Sequence, residues 1–108
     1  MNYKIASTAN FTRELKVLAK KYRSLRKDVD ALISELEENP EIGIPLGHNC
    51  YKIRLAIKSK GRGKSAGGRV ITHVFVTEGV VYLLSIYDKS DRATITDAEL
   101  LALLAQLH

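Results

Sequence analysis

Lys52, Arg54 and Lys58 fall at alternate positions in the stretch Tyr51 to Val70, YKIRLAIKSKGRGKSAGGRV, and Arg69 follows beyond a glycine-rich, lysine-rich turn. That spacing points to anion chemistry. Successive strand side chains face opposite ways. Tyr51, Ile53, Leu55 and Ile57 can therefore enter a core, while Lys52, Arg54, Ala56 and Lys58 form the other face. A row of cations, with a further arginine arriving on the neighbouring strand, is what a polyanion-binding surface requires, and nucleic acid is the polyanion that fits it. Lys60, Arg62 and Lys64 in the turn are expected to grip a nucleic-acid backbone rather than do chemistry.

The charge is clustered as well as positive. The chain carries a formal charge of +5, from 17 Lys and Arg against 12 Asp and Glu. Between Cys50 and Arg92 the basic residues include Lys52, Arg54, Lys58, Lys60, Arg62, Lys64, Arg69, Lys89 and Arg92, against only Glu78, Asp88 and Asp91. Such clustering is the electrostatic footprint of a nucleic-acid binder. Other chemistries fit less well. Gly63-Lys64-Ser65 resembles the end of a phosphate-binding loop, but the first glycine that motif needs would fall at Lys58, and no helix is expected to follow. His48, His73 and His108 are scattered and lack metal-ligand spacing with Cys50, so neither metal nor cofactor is expected. Asp28, Asp30, Glu35, Glu37 and Glu38 read as the exposed face of a helix.

The elements that must position these residues follow from periodicity. Tyr3 to Ser7 is a short strand. Thr8 or Asn10 can cap a helix carrying Phe11, Leu15, Leu18 and Tyr22, and Ser24 offers a cap to a second helix with Leu25, Val29, Leu32, Ile33 and Leu36. Asn39-Pro40 stops that helix, and Glu41 to Asn49 reads as a loop marked by Gly43, Pro45 and Gly47. After the basic strand come Arg69 to Val76 and Val80 to Tyr87, joined tightly through Thr77-Glu78-Gly79 and so antiparallel. Thr96 to Glu99 forms a capping box for a last helix bearing Leu100, Leu103, Leu104 and Leu107. The prediction is a single α+β domain over residues 1–108, ordered β-α-α-β-β-β-α, with a small antiparallel sheet and two helices on one face. The lone Cys50 has no internal disulfide partner, no run of about 18 apolar residues is present, and MNYKIASTANF lacks the apolar core of a signal peptide. A reducing cytoplasm is the expected setting.

Three segments, KYRSLRKDVDALISELEENP, IPLGHNCYKIRLAIKSKGRGKSAGGRVI and VYLLSIYDKSD, resemble the RelE/ParE superfamily of bacterial toxins, and most of all its RelE-like, HigB-type branch. The resemblance runs from Phe11 to Leu100. Arg23 departs from it, because many relatives carry proline there, although Ser24 can still break the helix. The resemblance implies a toxin of a type II toxin–antitoxin system, neutralised by an antitoxin encoded beside it, here expected to be a small helix-turn-helix protein. Many relatives are ribosome-dependent endoribonucleases that cut messenger RNA in the ribosomal A site. It also implies roles. Lys52 and Arg54 stand where the family has two catalytic lysines, Arg69 where it has a phosphate-binding arginine, and Lys89 where it has a second arginine. Lys58, Lys60, Arg62, Lys64 and Arg92 are then the RNA-binding surround. The family's catalytic tyrosine follows its last strand, where this chain has Ala93-Thr94-Ile95, and Tyr87 is the candidate substitute.

The chemistry is compatible with those roles. Metal-free RNA cleavage needs a base for the 2′-hydroxyl, cations for the phosphorane and an acid for the leaving oxygen. Crowding among cations destabilises the charged form of a lysine and brings it toward service as a base. Arginine stays charged and matches phosphate with its fork of donors. Two further readings stand beside this one: a ParE-like gyrase inhibitor without nuclease activity, and a non-catalytic RNA-binding module. In each case the leucine-rich band of the last helix, Leu100, Leu101, Leu103, Leu104 and Leu107, is broader than packing on a core demands and suits a partner.

Overall fold

The computed structural model describes residues 2–61 and 63–107, without the side chains of Lys64 and Ser65. Arg62 and the Lys64 side chain, both expected above to contact RNA, lie outside the described residues, as does His108. The alternating segments form one five-stranded sheet in the order β1-β5-β4-β3-β2. These are β1 (Lys4–Ser7), β2 (Ile44–Gly47), β3 (Cys50–Leu55), β4 (Gly68–Phe75) and β5 (Val80–Asp88). Neighbours are antiparallel except β1, which runs parallel to β5.

Helices α1 (Ala9–Lys21) and α2 (Leu25–Glu38) cover one face. Their Phe11, Leu25, Val29, Leu32 and Leu36 pack on Ile53, Leu55, Ile57, Val70, Val74, Val81, Leu83 and Ile86. Each such side chain contributes about 1.5–3 kcal/mol on burial. Thr8 is the N-cap of α1: its hydroxyl accepts the Phe11 N–H at 3.2 Å and donates to the Leu83 carbonyl at 2.9 Å, fixing the helix start on β5. The other face carries the terminal helix α4 (Asp97–Ala105), whose Leu100 packs on Ile71, Leu84 and Tyr87. Leu101 on the same helix remains exposed. No described helix is long and apolar enough to cross a membrane.

The predicted α+β order is present with one added strand and one added short helix, and β1 joins the otherwise antiparallel sheet in parallel. Residues Ile44–Gly47, expected as loop, form β2 and pair with β3. Pro45 is tolerated there because β2 is an edge strand. The turn between them holds His48 and Asn49 at φ 55° and 58°, the two positive values that a tight two-residue hairpin demands. The lysine-rich turn also has structure: a 3₁₀ turn over Lys58–Lys60 and the one-turn helix α3 (Gly63–Ala66).

Two local devices bring the strand ends together. A Cβ on Gly67 would lie 2.1 Å from the Leu55 carbonyl oxygen, so only glycine lets β4 begin against β3. The second is a β-bulge. The register of β4 and β5 shifts between Ile71 and Thr72, whose partners are Ser85 and Leu83, leaving Leu84 extra. Val81 and Leu83 face α1 and α2, and after the shift Ile86 does so too, which turns Tyr87 to the opposite face.

Candidate functional site

That opposite face gathers the cationic row. Arg54 on β3 is the direct cross-strand partner of Arg69 on β4, and Arg69 is the direct partner of Tyr87 on β5. Opposed side chains in a sheet stand about 4.5–5.5 Å apart at Cβ, and like charges so placed are destabilising. Nothing in the packing of a small domain calls for two opposed arginines. Arg54 is exposed, while Arg69 is only 5% exposed and donates from Nη1 to the Gly68 carbonyl at 3.0 Å. Arg69 is thus held inside the sheet rather than standing free on a surface as its sequence position suggests.

Tyr87 is 7% exposed, and its buried hydroxyl has no hydrogen-bond partner among the described residues. An orphaned polar atom of this kind costs about 1–3 kcal/mol, and the Thr72 hydroxyl is a second one in the same sheet. Burial pushes the phenol above its ordinary pKa, against the pull of Arg92 and Arg69. Arg92 lies 5.1 Å from the centre of the Tyr87 ring. Lys52, one strand alternation from Arg54, reaches the Thr94 hydroxyl at 3.4 Å. The segment after β5, where the family tyrosine was expected, therefore does return over the row, carrying Thr94 and Arg92.

Four residues anticipated for the site, Lys52, Arg54, Arg69 and Tyr87, thus share one face. Arg92, anticipated only as part of the RNA-binding surround, joins them at the Tyr87 ring. Lys89 is elsewhere. It is exposed beyond β5, where its N–H meets the Gly67 carbonyl, and it lines an opening of about 630 Å³ with Tyr22, Ser59, Lys60, Ala66 and Ser90. Lys58 is exposed, and its N–H is fixed by Asp28 at 3.1 Å.

Lys60 does not extend from the turn. Its Nζ is 2.7 Å from Asp88, whose carboxylate is fully buried and also accepts from Tyr22 and Ser90. Burial works against the Asp88 charge, but hydrogen bonds from Lys60, Tyr22 and Ser90 outweigh it and hold the carboxyl well below the usual carboxylate range. Asp28 also departs from its expected exposure. It is buried, accepts the Ser24 hydroxyl at 2.7 Å, and so takes that hydroxyl from capping α2. Ser24 in turn accepts the Ser59 N–H at 2.8 Å, so Asp28 and Asp88 together pin the base of the basic turn.

The residues missed in the sequence are Asp88, Asp28 and Glu99. Asp88 carried a signal, as the lone carboxylate between Tyr87 and Lys89 at a strand end. Cys50 is buried, and burial pushes its thiol up to about 11, which leaves it unreactive. Among the described residues no three His, Cys, Asp or Glu side chains converge as metal ligands.

No protein-family model matches the chain, and no curated protein matches its sequence. Solved structures do match its fold. A mutant of the Escherichia coli toxin RelE in the free state superposes with a TM-score of 0.64 at 21% identity over 100% of both chains. The toxin–antitoxin complex RelBE2 from Mycobacterium tuberculosis matches at 0.61 and 21% identity, over 82% of this chain and 99% of that one. A RelE mutant bound to a peptide of the antitoxin RelB matches at 0.59 and 23% identity, over 94% and 93%. The α+β order, the sheet and its flanking helices are thus those of the RelE toxin fold.

Proposed function

We propose that this chain is the toxin of a type II toxin–antitoxin system, of the RelE-like, HigB-type branch, and that it inhibits translation in the cytoplasm as a ribosome-dependent endoribonuclease. The observation that carries this reading is the cross-strand pair Arg54–Arg69 with the unpartnered Tyr87 hydroxyl next in the row. Two opposed arginines offer paired donor forks to one phosphate. Tyr87 supplies a proton donor or acceptor beside them, and Lys52 the second ionisable group that general acid–base cleavage requires. With no histidine in the row, alignment of the 2′-hydroxyl falls to the ribosome that presents the RNA. Lys58 and the exposed part of the turn extend the contact along the backbone.

An antitoxin fits the same reading. RelE and RelBE2 are seen with antitoxin or antitoxin peptide, and here the basic row and the exposed Leu101 of α4 offer a charged and an apolar surface side by side. An antitoxin that covers the row, or displaces α4 from it, would silence the protein. Induction of the protein alone in bacteria tests the reading: protein synthesis should stop within minutes while DNA stays intact. Continued translation with DNA damage would replace it with gyrase inhibition, and continued translation without damage would leave only RNA binding.

A further inference from the structure

The capping box of α4 holds more charge than capping needs. Thr96 accepts the Glu99 N–H at 3.1 Å, and Glu99 Oε1 accepts the Thr96 N–H at 3.0 Å. Glutamine performs that reciprocal role as well as glutamate. The same Oε1 also receives Arg92 Nη2 at 2.6 Å, and Arg92 Nε donates to the Thr94 carbonyl at 3.1 Å. With its central carbon 5.1 Å from the centre of the Tyr87 ring, the guanidinium is held from three directions.

An ion pair as accessible as this one, with side chains 38% and 43% exposed, adds little to stability. What it does provide is geometry. The backbone of α4 sets Glu99, Glu99 sets Arg92, and Arg92 sits at Tyr87 in the row formed with Arg69 and Arg54. The two bonds named use two of the five N–H groups of a guanidinium, so donors remain for a phosphate. Hydrogen bonds from Arg92 and then Thr96 hold the Glu99 carboxyl down at about 2, so the pair is charged throughout the physiological range.

We infer that Glu99 is a positioning residue of the phosphate site, holding the Arg92 guanidinium against Tyr87 so that the first turn of α4 forms a wall of the site. This rests on the reading of the row as a phosphate site. It makes Arg92, rather than Lys89, the outer cation of that site.

Glu99→Gln in the full chain separates the two duties of this residue, since the amide oxygen can still cap Thr96 while the charge is lost. Two readouts apply. Nuclear magnetic resonance follows the upfield shift that the Tyr87 ring imposes on the Arg92 side-chain protons. That shift should fall by about half or more as the guanidinium is released, with the helical circular dichroism unchanged. Messenger RNA cleavage on ribosomes should lose about tenfold in kcat with KM nearly unchanged, the pattern of an interaction made in the transition state. An unaltered ring shift would overturn the positioning role. Released Arg92 with unaltered kcat would overturn its service to the site. The resonance arm requires no cleavage activity, so it judges Glu99 even if the wild-type protein proves not to be a nuclease.

Discussion

The Asp88 clasp and the Arg54–Arg69 pair occupy the same end of the sheet, in adjacent cross-strand rows, and both gather cations. The clasp folds one cation inward: Lys60 closes on a carboxylate with no exposed surface, the exposed Lys21 approaches it at 3.9 Å, and Tyr22 and Ser90 complete it. The row sets Arg54 opposite Arg69, and Lys52 reaches the Thr94 hydroxyl while Arg69 donates to the Gly68 carbonyl. One arrangement stabilises the chain at the expense of free charge. The other sets two like charges opposite each other at the expense of stability.

The contrast breaks most readily at its two centres. Asp88→Ala strands Lys60 and the Tyr22 hydroxyl around a buried gap and should cost about 3–5 kcal/mol in chemical denaturation. Arg54→Ala should leave the midpoint unchanged or raise it, since like charges opposed on a sheet repel. Equal losses from the two substitutions would erase the distinction.

Tyr87→Phe sharpens it. Removing an orphaned hydroxyl should leave stability unchanged or raise it by up to about 1 kcal/mol, while cleavage falls about 100-fold if the phenol moves a proton. A Phe variant with full activity would reduce Tyr87 to packing. Lys60→Ala should lose about 1.5–3 kcal/mol, the worth of a hydrogen bond to a charged group. It should also leave the salt dependence of RNA binding unchanged, whereas Lys52→Ala should lower that slope by about one unit.

The smallest effect is that of pH. Asp88 and Glu99 both have carboxyl pKa values below their ordinary values in the folded chain, the latter at about 2. Unfolded, they titrate near about 3.9 and 4.3. The folded state therefore binds fewer protons, and the stabilisation is complete above about pH 5 and shrinks as pH falls toward 2. Melting temperatures across that range should show this decline, and Asp88→Asn should flatten it.

Much of this was legible in the residues. The alternation from Tyr51 to Lys58 separates core from surface correctly, because strand period depends only on backbone geometry. The helical stripes of α1 and α2 and the Thr96–Glu99 box are equally local. Partnership across the fold was not legible. Lys60 and Lys52 look alike in the sequence, and only the return of Asp88 beside one of them decides their fates. The phase of Tyr87 was hidden for a different reason: the bulge at Leu84 inverts the facing of every later β5 residue, and an apolar run gives no sign of it. Strand β2 was masked by Gly43, Pro45 and Gly47, residues that an edge strand accepts and a central strand does not.

We propose that the arginine row is a phosphate site for RNA cleavage. The most direct test is single-turnover cleavage of one messenger RNA, naked and on programmed ribosomes, by the wild type and by Arg69→Lys. The lysine keeps the charge but loses the fork. Cleavage should occur only on the ribosome and fall about 100- to 1,000-fold on the substitution, with the fold intact by circular dichroism. Efficient cleavage of naked RNA, no cleavage on ribosomes, or an unimpaired Arg69→Lys variant would contradict it.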